Sequence, residues 1–134
     1  MITKDEIKKY LEIYDKIEEK CDEFISEYYY QIIGNKYRSK LENDTYPNQE
    51  CFEVFEFHVL LTTEVEDCEY KNFDCIPIDV ICGTHEDIKR FVRDLIEKRV
   101  KRYKEREDSI EKWSKQQAKE EKEEIERLKK KFNL

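Results

Sequence analysis

The stretch ECFEVFEFHVLLTTEVEDCEYKNFDCIPIDVICG, residues 50–83, decides the fold. Phe55, Phe57, Val59, Leu61 and Val65 alternate with Glu56, His58, Thr62, Glu64 and Glu66, with Leu60 as the exception. A period of two is the side-chain repeat of a strand with one buried face. After a turn near Glu66 to Asn72, Ile76, Ile78, Val80 and Cys82 alternate again, which predicts a second strand. Pro77 has no N–H to give to a ladder, so this strand is expected at an edge. A lone hairpin is marginal in water, so its apolar face must lie on a helix or on another chain.

Both flanks of the hairpin read as helix. Thr3 and Glu6 have the spacing of a capping box, and Ile2 and Ile7 that of a hydrophobic staple. Apolar residues follow at Ile7, Tyr10/Leu11, Tyr14, Ile17, Cys21, Phe24/Ile25, Tyr28 and Ile32. Their steps of three and four average about 3.5, so a single seam is expected along residues 4–33. Gly34 stands where a left-handed residue would end the helix. Residues 35–49 read as a loop with a short helical turn around Arg38 to Leu41. Thr84, followed by Glu86 and Asp87, opens the last helix, whose stripe is Ile88, Phe91/Val92, Leu95/Ile96, Val100 and Tyr103. Beyond Tyr103 the stripe thins to Ile110, Trp113, Ile125, Leu128 and Phe132. Unbroken, this helix would be a rod of about 70 Å. Asp108-Ser109 offers a second N-cap, with Glu111 three residues after Asp108, so a break there is equally open.

The expected fold is α+β in the order α–β–β–α: a long N-terminal helix, an antiparallel β-hairpin and a long charged C-terminal helix. Residues 1–110 are taken as one α+β domain and 111–134 as a charged helical extension, continuous with the helix from 85 or not. Two Gly and two Pro are too few for a loop-rich all-β chain. Charged residues make up 44% of the chain against a usual quarter, so the core must be thin. Nine Tyr, seven Phe and one Trp give that core its apolar area. Residues 1–20 contain no apolar run of signal-peptide length, and no stretch approaches the ~20 apolar residues of a bilayer span. A cytoplasmic location is expected, with the five Cys as reduced thiols.

The net charge of −7 is unevenly spread. Residues 50–82 hold one base, Lys71, against nine acids, whereas residues 83–134 hold 17 bases against 13 acids. The acids of the hairpin serve either as a solvated outer face that resists edge-to-edge pairing or as a surface that meets a basic partner. The partner-binding candidates are Glu53, Glu56, Glu64, Glu66, Asp67, Glu69, Asp74 and Asp79. Same-face strand carboxylates recur about every 6–7 Å, close to the phosphate spacing along a nucleic-acid strand. Only Tyr28 lies on the seam, so Tyr29 or Tyr30 should show at the surface; these two, with Trp113 on the sparse arm, are candidate anchors. The basic run Lys98 to Arg106 is interleaved with Glu97, Glu105 and Glu107 and reads as a solvated helix face. The overall negative charge disfavours direct nucleic-acid binding.

Cys82-Gly-Thr-His85, with Cys68 and Cys75 nearby, has partial zinc-ligand spacing but no second close pair. Asp79, Asp87 and Lys89 have the residue types of a metal-dependent nuclease but not its strand placement. Only His58 and His85 could serve as imidazole bases, and neither lies in a nucleophile motif. The expectation is a non-enzymatic chain without a cofactor or metal. In size, acidity, amino-acid bias and charged terminal helix it is similar to small proteins encoded by phages and mobile elements of low-GC bacteria, among which inhibitors of host defence such as anti-CRISPR proteins are frequent. No motif carries that likeness and no residue role is transferred by it. The expected function is an acidic protein-binding module whose hairpin carboxylates block a basic groove, the partner being a nucleic-acid-binding protein or nuclease. The alternative is a coiled-coil adaptor acting through its C-terminal helix. The long seam and the edge strand also make a homodimer an expectation.

Overall fold

The computed structural model describes residues 1–44, 51–65 and 69–133; of these, the side chains of 51, 62–65 and 69–73 are not described. The chain is α+β, with a three-stranded antiparallel sheet between its N- and C-terminal helices in chain order. It divides into two compact units, Met1–Glu97 and Lys98–Leu134.

In the first unit, helix α1 spans Lys4–Gln31. Thr3 caps it, its hydroxyl oxygen accepting from the Glu6 N–H at 3.1 Å. Gly34 ends it with φ +78°, and the Asn35 N–H closes the turn onto the Ile32 carbonyl at 3.0 Å. The expected short helical turn is present as α2, Arg38–Asn43. Tyr28 fastens it to α1 by donating its hydroxyl to the Leu41 carbonyl at 2.7 Å.

The sheet has strands β1 (Cys51–Val54), β2 (His58–Val65) and β3 (Glu69–Pro77) in the order β1-β2-β3. Two strands were expected, and the sequence signal failed at Phe55-Glu56-Phe57. Phe55 and Phe57 continue the alternation, yet they lie in a tight connection where the Phe55 N–H donates to the His58 carbonyl at 2.8 Å. The Phe55 ring stacks on His58 at 4.8 Å, so aromatic packing supports a turn that carries no Gly, Pro or Asn. Neither Phe55 nor Phe57 reaches the core.

A second correction concerns residues 78–82. The expected alternation through Ile78, Val80 and Cys82 is a helical turn, α3 (Ile78–Ile81), entered through Pro77. Proline fixes φ without needing a donated hydrogen bond and suits the step from strand to helix. Pro77 does end an edge strand, where it pairs with His58. A register shift between Leu61 and Thr62 marks a β-bulge: Leu61 pairs with Asp74 and Thr62 with Asn72.

Phe52, Val59, Leu61 and Ile76 supply the buried sheet face, and Cys21, Phe24, Ile25 and Tyr28 the buried face of α1. Helix α4, His85–Lys131, adds Ile88, Val92 and Ile96 within the first unit. The Phe24 and Phe91 rings meet at 5.9 Å. The α1 seam is fully buried only from Cys21 onward. Its first half, from Ile7 to Tyr14, is exposed.

The second unit consists of the rest of α4 and the residues after it. The helix shows no interruption at Asp108, so the second capping signal there is not used. Charged pairs one turn apart, Glu111–Lys115 at 3.0 Å and Glu124–Arg127 at 2.6 Å, support a face that buries almost nothing. Tyr103 and Arg99 are its buried residues, while Ile110, Trp113, Ile125 and Phe132 are exposed. Among the described residues, no helix is long and apolar enough to cross a membrane.

Candidate functional site

The described hairpin carboxylates, Glu53, Glu56, Asp74 and Asp79, do not share one strand face. Glu53 projects from β1 and is exposed, Glu56 lies in the β1–β2 connection, and Asp79 lies on α3. Asp74 is 5% exposed, because its register places it on the same sheet face as Ile76. It is part of the packed interior and not a presented charge, which corrects its assignment as a contact residue. The side chains of Glu64 and Glu69 are not described, and Glu66 and Asp67 lie outside the described residues. Tyr30 is exposed at 70%, as one of the pair had to be. Tyr29 is half-buried, edge-on to Tyr28 at 6.0 Å, and burial, with Glu42 behind it, pushes its phenol pKa up. Trp113 is exposed at 65% in the second unit.

Carboxylates do converge elsewhere in the first unit. Glu19, Asp22, Glu23, Ser26, Glu27 and His85 line a concave shelf of about 410 Å³. The five α1 residues are three or four apart, so they stack along the face opposite the buried seam. His85 is brought to them by the turn that starts α4. Thr84 caps that helix, and Asp87 folds back to accept from the Thr84 N–H at 2.8 Å and its hydroxyl at 3.2 Å. These two bonds, the backbone one first, hold the Asp87 carboxyl below its ordinary value. Lys20 fastens the turn to α1 by donating to the Gly83 carbonyl at 3.2 Å.

The charges on the shelf are only partly met. The His85 Nδ1 lies 3.6 Å from Glu23 Oε2, and its Nε2 lies 3.7 Å from Glu27 Oε2. Glu27 is nearly buried and accepts from Gln31 Nε2 at 2.9 Å, which also donates to the Lys89 carbonyl at 3.0 Å. Glu23 and Glu27 also stand near the first turn of α4, where the helix dipole favours anions. These two acids thus have a structural task. Glu19 and Asp22 make no ion pair or hydrogen bond among the described residues. They are the shelf's uncompensated charge.

Ser26, His85 and a glutamate on one shelf have the residue types of a hydrolytic triad. Among the described residues no hydrogen bond joins Ser26 to His85, whose Nδ1 and Nε2 lie 3.6 Å and 3.7 Å from Glu23 and Glu27, so the three are not arranged as a triad. Cys75 and Cys82 are exposed free thiols, and among the described residues no group of three or more His, Cys, Asp or Glu is placed to hold a metal ion. Cys68 lies outside those residues.

A second feature lies further up α1. Tyr10, Ile13, Tyr14 and Ile17 face Phe52 and Val54 of β1 across an apolar groove of about 370 Å³. The Tyr14 ring stacks on Phe52 at 4.7 Å and forms the groove's floor. Neither α1 site was singled out in the sequence, although the signal was present. Acids at 19, 22, 23 and 27 share one face of a helix whose opposite face carries the seam.

Comparison with protein-family models, with curated proteins and with solved structures finds no match to this chain.

Proposed function

We propose that this chain is a non-enzymatic protein-binding module that engages a basic protein surface through carboxylates. The observation that supports this reading is the shelf on α1, where Glu19 and Asp22 present negative charge without a cationic partner among the described residues. Glu23 and Glu27 stand beside this pair, so a partner's Lys or Arg would meet carboxylates gathered on one helix face. Such a surface gives specificity and fast association more than raw affinity, and its strength falls with salt. A groove that ordinarily holds nucleic acid is one basic surface of this kind, and occupying it would make the chain an inhibitor of the anti-CRISPR type. We assign the contact to α1 because Glu19 and Asp22 stand together there, whereas of the described hairpin acids Asp74 faces inward and Glu56 and Asp79 lie off the strands.

The experiment is affinity capture from a bacterial lysate with the wild-type chain and with Glu19→Lys/Asp22→Lys, followed by salt elution and mass spectrometry. The expected result is a basic protein retained by the wild type, released by moderate salt and lost from the variant. Recovery of the same proteins by both baits would remove the shelf from consideration. Proteins that salt does not release would do the same.

A further inference from the structure

Beyond the capture of a basic partner, the exposed half of α1 has a second task. We infer that the seam from Ile7 to Ile17 is the interface of an antiparallel dimer, in which α1 of a second copy lies along α1 of the first. Three observations carry this.

The seam is apolar, periodic and largely exposed, with Phe52 stacked on Tyr14 at one edge. Ile7, Tyr10, Leu11, Ile13 and Tyr14 are all exposed, Ile13 at 56% and Tyr14 at 38%. They continue, without a change of phase, the stripe that Cys21, Phe24 and Tyr28 bury further down the same helix. A helix that keeps a 3.5-residue repeat past the end of its own core presents a seam suited to another helix.

The register of a second copy follows from the residues beside the seam. With Ile7 and Tyr14 at heptad position a, and Tyr10 and Ile17 at d, Lys4, Leu11 and Glu18 take position e, and Glu6, Ile13 and Lys20 take g. In an antiparallel pair, a meets d, while e meets e and g meets g. Ile7 then packs on Ile17 of the second copy, and Tyr10 on its Tyr14. At the e flank, Lys4 faces Glu18 and Leu11 faces Leu11; at the g flank, Glu6 faces Lys20 and Ile13 faces Ile13. Each flank contact is a pair of opposite charges or a pair of apolar side chains. A parallel pair, in which g meets e of the next heptad, sets Glu6 against Leu11 and Ile13 against Glu18. That arrangement would bury a carboxylate on an apolar side chain at each step. The charge pattern therefore selects a second copy in antiparallel orientation.

The sheet provides the remaining wall. Phe52 and Val54 face Tyr10, Ile13, Tyr14 and Ile17 across the groove, so a second helix on the seam would also meet the apolar surface that β1 presents. Lys20 keeps its bond to the Gly83 carbonyl and lies 28% exposed, within reach of a second carboxylate. The interface is isologous, as a two-fold axis between identical helices requires. It would display two acidic shelves on one particle.

The test is sedimentation of the full chain from micromolar to millimolar concentration, with five variants. The wild type is expected to be a dimer, and Ile13→Glu a monomer with unchanged helical circular dichroism. Glu18→Lys places two lysine pairs across the axis and should weaken association about tenfold. Lys4→Glu should weaken it to a similar degree, and Lys4→Glu/Glu18→Lys should restore it, since only the antiparallel register sets residue 4 against residue 18. A wild type that remains monomeric throughout overturns the inference. So does a dimer indifferent to Ile13→Glu, and so does a double swap that fails to restore association. A shelf variant, Glu19→Lys/Asp22→Lys, that loses capture but still dimerises separates this interface from the proposed function.

Discussion

Cys21 shows how one buried atom sets a chemical property. It is fully enclosed, and burial first, then the charges of Asp22 and Glu18, push its thiol from 9.0 up to about 12. The thiolate is the nucleophile, so native Cys21 should resist iodoacetamide at mildly alkaline pH while Cys75 and Cys82 react. Peptide mapping of native and denatured samples would check this, and equal labelling of Cys21 in both would refute it. The same shift has a pH consequence. Above 9.0 the unfolded thiol loses its proton while the folded one keeps it until about 12, so the unfolded state binds fewer protons and stability falls as pH rises. The slope from this group is at most about 1.4 kcal/mol per pH unit, and Cys21→Ala should flatten the alkaline limb of the melting curve. Asp87 acts at the opposite end. Its folded-state carboxyl is depressed, so its stabilisation is present above the ordinary carboxylate range and is lost as pH falls through the lowered value. The gap in melting temperature between wild type and Asp87→Asn should thus be open at pH 7 and close in strong acid.

At the scale of elements, α1 is one helix with two different lower and upper halves. Phe24→Ala should cost about 3–5 kcal/mol, since the ring is buried against Phe91 and leaves a cavity. Ile7→Ala, at the same seam but exposed, should change the stability of the dilute chain by no more than about 0.5 kcal/mol. Denaturant melts of the two variants would check the contrast. The sequence showed both helices, their caps at Thr3 and Thr84 and the end at Gly34, because capping chemistry and the 3.5–3.6 period are local. It did not show where the seam stops being covered, because coverage depends on how far the sheet extends along α1. It also missed the turn at Phe55-Glu56-Phe57, where two aromatic residues keep strand alternation through a bend. Ile78 and Val80 misled for a similar reason: a short apolar run after Pro77 satisfies a strand period and a single helical turn equally well.

For the whole molecule, the charge distribution was legible and its placement was not. The excess of acids in residues 50–82 is a fact of composition, but Asp74 turns inward and Asp79 lies on a helix, so strand alternation alone did not place these two. The shelf arises only when the start of α4 is set beside α1, a juxtaposition of residues 58 or more positions apart, such as Gln31 and Lys89. The alternative role, an adaptor acting through the C-terminal helix, rests on the exposed Ile110, Trp113, Ile125 and Phe132 of the second unit. Truncation after Ser109 removes them all, and loss of partner capture on that truncation would favour this role over the shelf. The most direct measurement compares two neutralised chains against one captured basic partner by titration calorimetry: Glu19→Gln/Asp22→Asn on the helix, and Glu64→Gln/Glu66→Gln/Asp67→Asn/Glu69→Gln on the hairpin. The helix variant should lose binding while the hairpin variant retains wild-type affinity. The reverse result would contradict the assignment of the contact to α1.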